Sequence, residues 1–345
     1  MAQIRGKTKE IRDYIIANVA GHRPNIVALT CDQFDISRQA AARHVRWLVD
    51  EGVLQAEGTT RNRVYRLAVI DGWEFEYNLS ETTSEADVWL RDIKSVFDGL
   101  PENVIDIWYT GFTEMFNNVI DHSCSETVGV SIEKTAIDFD VVISDRGVGI
   151  FKKIKDALDL ADERHAALEL AKGKFTTDPV NHTGMGIFFS YHAFDKFTLI
   201  SGNVYFSHDH DNNESWIVED REYQQGTDVF LKLNNDTKRT MLAVYDSFTS
   251  DAKDDHAFNR TIIPVKLAEY GDDKLVSRSQ AKRVLVRVDK FETVYFDFSG
   301  VEHIGQAFAD EIFRVFQNKH HNMEILAVNA NSVVSRMISM AVSGG

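Results

Sequence analysis

The sequence predicts a multi-domain α/β protein, and three observations predict it. The chain has 345 residues, and at roughly 150 residues per domain that makes two to three domains. Helix and strand patterns alternate through most of its length, as in mixed α/β layers. Charge is divided unevenly. Residues 1–72 carry 11 Lys and Arg against 8 Asp and Glu, while the remaining 273 carry 27 against 45, within a net charge of −15. A basic end on an acidic body places any nucleic-acid contact in the first 72 residues.

Composition excludes other classes. Hydrophobic residues are 43% and charged residues 26%, ordinary for a globular chain and far from a disordered one. No run approaches the roughly 18–20 apolar residues of a membrane span, so no membrane contact is expected. The start of the chain shows scattered charges and no apolar stretch of a secretory signal. Cys31 and Cys124 are the only cysteines, too few for a disulfide scaffold or a Cys-rich zinc site. These features predict a cytoplasmic protein.

Residues 1–72 form the first module. Ile11, Ile15 and Val19 recur on one helical face. Residues 26–34 make a short second helix. Ser37 is suited to cap a third, running to Asp50, and Gly52 ends it. Residues 53–55 and 64–67 read as strands around a turn at 58–63. Three helices and a hairpin make a winged helix-turn-helix of α+β class. In the third helix Ala41, Val45 and Leu48 face inward. Arg38, Gln39, Ala42, Arg43 and Arg46 fall on the other side, where a recognition helix reads base edges in the major groove. Arg61 and Arg63 at the wing tip can reach phosphate or the minor groove. The plainer alternatives are a solvated helix face or a winged helix used for protein contact. The segment ISRQAAARHVRWLVDEGVL resembles bacterial winged-helix regulators. That resemblance implies DNA as a partner. Winged helices commonly pair on two half-sites, so a homodimer is an open expectation.

Residues 71–83 leave this module. A helix follows with Trp89, Ile93, Val96 and Leu100 on one face, and Pro101 breaks it. The next helix, about 104–122, aligns Ile107, Gly111, Glu114 and Asn118 along one stripe, with His122 a turn further. The stripe starts apolar and ends in a carboxylate and an amide, which need partners if buried. Glu114 and Asn118 lie about 6 Å apart along the axis, close enough to address one Mg²⁺–phosphate group. A strand at 137–143 then runs into Asp145-Arg146-Gly147-Val148-Gly149. An Asp at a strand end can accept from an exocyclic amine, and the glycines let backbone approach a flat ligand. A stretch of about 33 residues without a clean strand, 150–182, reads as a lid. It carries Lys172 and Lys174. His182-Thr183-Gly184-Met185-Gly186 then opens a helix, leaving N–H groups free for phosphate oxygens. Gly226-Thr227 forms a turn into a further strand.

On these residues, 75–235 resemble the GHKL (Bergerat) ATPase domain, an α/β sandwich shared by DNA gyrase, MutL-type repair proteins, heat-shock chaperones, histidine kinases and anti-sigma-factor kinases. Glu114-x-x-x-Asn118-x-x-x-His122 matches its N box, Asp145-x-Gly147-x-Gly149 the first glycine box, Gly184-x-Gly186 the second, and Gly226-Thr227 the last. The resemblance implies ATP and Mg²⁺ as cofactors, with Asn118 as the Mg²⁺ ligand and Asp145 on adenine. His122, Gly147, Gly149, Lys174, Thr183, Gly184, Met185, Gly186 and Thr227 complete the nucleotide site, and 150–183 form the lid. It also implies Glu114 as general base in members that hydrolyse ATP or phosphorylate serine.

Residues 236–260 read as a polar connector with a short helix near 239–248. Strand 261–267, helix 278–286, strand 293–298, helix 306–317, strand 324–328 and helix 333–342 follow. The stretch VYFDFSGVEHIGQAFADEIF is similar to STAS-like domains, relatives of the anti-anti-sigma fold, over about the last 85 residues, 261–345. Phosphorylated members of that family carry Asp-Ser at the start of the helix. Here Gly305-Gln306-Ala307 offers no hydroxyl, so phosphorylation there is not expected. The STAS-like domain implies a protein partner. The His-bearing dimerisation helices of sensor kinases have no counterpart before residue 85, and the transducer domain of gyrase-type enzymes is not recognisable. The leading expectation is an ATP-controlled DNA-binding regulator, the alternative a serine/threonine protein kinase acting on a separate protein.

Overall fold

The computed structural model describes residues 2–21, 25–59, 63–82, 84–175, 184–249, 258–269 and 274–343. The chain divides into two units. One comprises Met1–Phe75, Val130–Val141 and Lys232–Asp236. The other comprises Glu76–Gly129, Val142–Leu231 and Thr237–Gly345.

The first unit opens with helices α1 (Ala2–Asn18), α2 (Ile26–Phe34) and α3 (Arg38–Asp50), then strands β1 (Leu54–Glu57) and β2 (Val64–Leu67). Helical spacing of apolar residues is the cause. Ile11, Ile15 and Val19 pack with Ile26, Val45, Leu48 and Leu54 into one buried cluster. The Ser37 hydroxyl caps α3 by accepting from Ala40 N at 3.2 Å, satisfying one of the N–H groups a helix start leaves orphaned. β1 and β2 pair antiparallel, Leu54 against Leu67 and Glu57 against Val64. The stretch expected to leave this module begins with a strand, β3 (Asp71–Asn78). Its start belongs to the first unit, where Trp73 stacks on Phe139 at 6.4 Å and Ile70 N donates to the Lys134 carbonyl at 2.8 Å. The unit therefore extends past residue 72.

A five-stranded sheet has the order β3-β4-β5-β7-β6, with β4 (Thr127–Lys134), β5 (Asp138–Asp145), β6 (Lys196–Asp209) and β7 (Glu214–Asn234). The sequence reading missed β6 and took residues 225–231 as a turn into a strand. Gly226 and Thr227 instead lie inside the 21-residue β7.

In the second unit α4 (Glu85–Val88) continues into a π turn at Trp89–Ile93 and a 3₁₀ turn at Lys94–Phe97. The 21-residue α5 (Glu102–His122) follows. Its core is aromatic: Phe97 stacks on Trp108 at 4.9 Å, and Phe194 meets Trp108 edge-on at 5.0 Å. Gly111 is required here, because a Cβ would lie 2.3 Å from the Phe194 ring. Residues 150–175 contain α6 (Ile150–Leu158) and α7 (Glu163–Lys172). Residues 166–172 are buried in succession, so α7 is part of the core and not a free flap. α8 (Gly186–Ala193) and α9 (Met241–Phe248) pack together, with Phe188 against Phe248 at 4.7 Å. The expected connector is thus anchored by α9.

The C-terminal part holds β8 (Arg260–Pro264), α10 (Arg278–Leu285), β9 (Thr293–Asp297), α11 (Gln306–Asp310), α12 (Gln317–Lys319), β10 (Glu324–Val328) and α13 (Ser332–Ser343). A π turn, Glu311–Phe316, joins α11 to α12. The strands are parallel in the order β10-β9-β8, with Pro264, Asp297 and Val328 in register at their carboxyl ends. Parallel strands covered by helices read as apolar runs, and Val294, Phe296 and Phe298 are buried accordingly.

Candidate functional site

A cavity of about 280 Å³ in the second unit collects the residues singled out in the sequence. From α5 come Glu114, Asn118 and His122, which helical periodicity places on one side. From the end of β5 comes Asp145, from the cap of α6 Gly149, from just before and at the start of α8 Gly184 and Gly186, and from β7 Thr227. Four stretches, from Glu114 to Thr227, converge on one space.

Asp145 is 3% exposed. Its Oδ1 accepts from Gly147 N at 2.8 Å. Burial pushes its carboxyl above the usual Asp range, and the backbone N–H groups of Gly147 and Thr227 pull back only in part. A buried carboxylate at a cavity wall suits a ligand amine, because it has acceptor capacity to fill.

The glycines are there for close approach. A Cβ on Gly147 would lie 1.9 Å from the Ser123 carbonyl oxygen. One on Gly186 would lie 1.9 Å from Glu114 Oε2, and one on Gly226 would lie 2.1 Å from the Asp145 carbonyl oxygen. Gly226 also has φ +82, a conformation that favours glycine. The Thr227 hydroxyl accepts from Ile150 N at 3.1 Å, closing the first turn of α6. Ser201, 1% exposed, donates to the Gly226 carbonyl at 2.7 Å. The sequence reading missed Ser201 because β6 was not read as a strand.

Other expected residues sit elsewhere. Gly147 supports the loop without facing the cavity, and Met185 precedes α8 as its cap residue. Lys174 is turned away: its Nζ donates to the Lys290 carbonyl at 2.9 Å and lies 4.9 Å from the Phe291 ring. Lys172 is wholly buried beside Glu169. Thr183 lies outside the described residues. Among the described residues no group of three His, Cys, Asp or Glu side chains can hold a metal ion. A Mg²⁺ at Asn118 would therefore take most of its ligands from phosphate and water, its usual habit.

The C-terminal part reaches the wall of this cavity through a residue the sequence reading did not consider. Arg287 donates to the carbonyls of Gly173, at 3.1 Å, and Lys174, and its guanidinium lies 5.1 Å from the Phe175 ring. Gly173 and Phe175 line the cavity, and Phe175 N donates to the Gly184 carbonyl at 3.1 Å. No sequence signal marks Arg287, since its partners are more than a hundred residues away.

In the first unit Arg38, Gln39, Arg43 and Arg46 are exposed on one face of α3 while Ala41, Val45 and Leu48 are buried, as the helical pattern requires. Arg63 is exposed at the foot of β2. Arg61 lies outside the described residues. Arg12 adds a cation on this side of α3, 3.3 Å above the Trp47 ring.

Residues 280–334 match the family described as STAS-like domain of unknown function (DUF4325). The match runs from α10 to the start of α13, so the C-terminal domain is STAS-like. A comparison with curated proteins finds no match. Among the described residues no helix is long and apolar enough to cross a membrane.

Proposed function

We propose that the protein is an ATP-dependent DNA-binding regulator. In this reading residues 75–235 form a GHKL-type nucleotide domain, residues 1–72 a winged helix that binds DNA, and the STAS-like domain serves a protein partner. The single observation that carries it is the meeting of Glu114, Asn118, Asp145, Gly184, Gly186 and Thr227 at one cavity.

The residues fit the group. Asp145 would take the adenine amine, held in place by N–H groups of Gly147 and Thr227. Gly184 and Gly186 would present backbone N–H groups at the start of α8 to phosphate, where the helix dipole favours an anion. Asn118 would hold Mg²⁺ through its amide oxygen. Glu114 is exposed at the cavity, with its carboxylate against Gly186. It is placed to orient a water or hydroxyl and take its proton. ATP supplies the phosphoryl group and its chemistry. Binding would act on DNA affinity by favouring one of two conformational populations.

The exposure of Glu114 also favours a second reading, a serine/threonine protein kinase, because a hydroxyl from another protein can reach an exposed residue at the cavity.

The test is Mg²⁺-dependent ATP binding and turnover by the purified protein, with Glu114→Ala and Asn118→Ala beside it. The reading expects binding lost in Asn118→Ala and turnover lost in Glu114→Ala. It also expects DNA affinity, measured over a salt series, to change with ATP. Absence of ATP binding removes the reading. Phosphate transfer to a protein in a lysate, with DNA affinity unmoved by ATP, selects the kinase.

A further inference from the structure

The second cavity, about 630 Å³, opens at the carboxyl ends of the STAS-like strands. Pro264, Asp297 and Val328, the last residues of β8, β9 and β10, all line it. Carboxyl ends of parallel strands are where open α/β sheets bind ligands. The facing wall comes from α8, β6 and α9, and it is aromatic. Tyr191 stacks on His208 at 4.3 Å, and His192 lies 4.5 Å from Phe248.

Two features of this space are unmatched among the described residues. His192 Nε2 and His208 Nε2 are both buried with no hydrogen-bond partner among the described residues. His208 uses its other nitrogen on Ser215, at 2.9 Å. Burial pushes His192 well below the usual His range and His208 down to about 4, so both rings are neutral and each Nε2 can donate or accept according to tautomer. A buried polar atom without a partner is costly, and two such atoms belong to residues that line this cavity. On the opposite side Asp297 is 8% exposed. Ser299 N, Ser299 Oγ and Asn329 Nδ2 all donate to its Oδ1, at 2.9, 2.7 and 3.0 Å. Among the described residues none donates to Oδ2.

We infer that this cavity binds a small heteroaromatic anion of the size of a nucleoside monophosphate, at a site separate from the first cavity. A flat ring fits against Tyr191, His192, His208 and Phe248. Its polar edge meets Asp297 Oδ2, beside the His192 and His208 rings that line the cavity. Lys266, exposed at the cavity and without an ion pair among the described residues, meets the anionic group. Arg239 is a weaker anion partner, because Asp195 already holds it at 3.1 Å. A cavity of this volume with mostly apolar walls and a few convergent polar groups is the ordinary form of a small-molecule site.

The test is calorimetric titration of the full chain with GMP, UMP and CMP. Wild type is compared with Lys266→Glu and with Trp216→Ala, Trp216 being a half-exposed ring that lines the cavity, and with Asn118→Ala in the other cavity. The expected result is binding of at least one of the three, about tenfold or more weaker in Lys266→Glu and Trp216→Ala and unchanged in Asn118→Ala. Nitrogen NMR of the histidine side chains should show the ligand moving the resonances of His192 and His208. No binding of any of the three overturns the inference. So does binding that Lys266→Glu and Trp216→Ala leave untouched, or that Asn118→Ala abolishes.

Discussion

Lys172 and Arg287 serve each other's chain ends. Lys172 closes α7 and donates to the Val286 carbonyl at 3.0 Å, just past α10. Arg287 follows α10 and donates to the Gly173 carbonyl at 3.1 Å, just past α7. Helix ends leave carbonyls without partners, and here each cation supplies the other helix. Glu169 lies between them, wholly buried, bonded to Lys172 at 2.5 Å and paired with Arg287 at 3.3 Å. Through this arrangement the STAS-like domain holds the segment that lines the first cavity.

Glu169→Ala leaves two buried cations facing each other. Breaking a buried pair by removing one partner costs about 3–5 kcal/mol, so the variant should melt well below wild type, or fail to fold. Glu169→Gln keeps the shape and tests the charge. Burial alone would raise the Glu169 carboxyl, but Lys172, His165 and Arg287 together hold it below the usual Glu range. A depressed folded value means the stabilisation is present above the unfolded value and lost as pH falls through the folded one. Urea melts of wild type and Glu169→Gln should therefore differ most near neutrality and converge in acid.

Asp145 behaves in the opposite sense. Burial raises its carboxyl, so its ionised form costs stability, a cost that appears as pH rises through the raised value. Asp145→Asn should be at least as stable as wild type at neutral pH, with the advantage gone in acid. ATP affinity should fall about 10- to 100-fold in the variant, the worth of a hydrogen bond to a charged group. In wild type, affinity should begin to fall at a pH above the usual Asp range. Thermal melts and ATP titrations across pH separate the two effects.

Gly186→Ala and Gly226→Ala should divide function from stability. At Gly186 the added Cβ meets the carboxylate end of Glu114, which can swing aside. The variant should fold and lose turnover. At Gly226 the Cβ meets the Asp145 backbone, with φ at +82. Strain of this kind costs about 1–3 kcal/mol, so Gly226→Ala should melt lower. Equal melting temperatures for the two would contradict this packing.

Arg43→Ala tests the exposed face of α3. If Arg43 contacts phosphate, its removal weakens binding to all sequences and lowers the salt slope of log K by about 1. If it reads a base, the loss concentrates on one position of the site. Filter binding over a salt series with specific and scrambled DNA distinguishes the two, and an unchanged affinity on both would place DNA elsewhere or nowhere.

Much of this was present in the linear pattern. The three helices and hairpin of the first unit follow from apolar spacing, the Ser37 cap and Gly52. The run of helix α5 into Glu114, Asn118 and His122 follows from period 3.6, and the STAS-like strands follow from their apolar runs. Those are local properties, decided by neighbours a turn or a strand away. What only the tertiary structure decided involves residues far apart in the chain. Strand β3 is not visible in the pattern, because Asp71-Gly72-Trp73-Glu74 has little strand character of its own; sheet pairing decides it. Lys172 and Lys174 looked like lid residues for phosphate until Glu169, Arg287 and the Lys290 carbonyl were brought to them. His192 and His208 carry no motif at all. Their significance comes from lining one cavity with the ends of β8, β9 and β10, 56 to 136 residues away, a circumstance that exists only once the chain has folded.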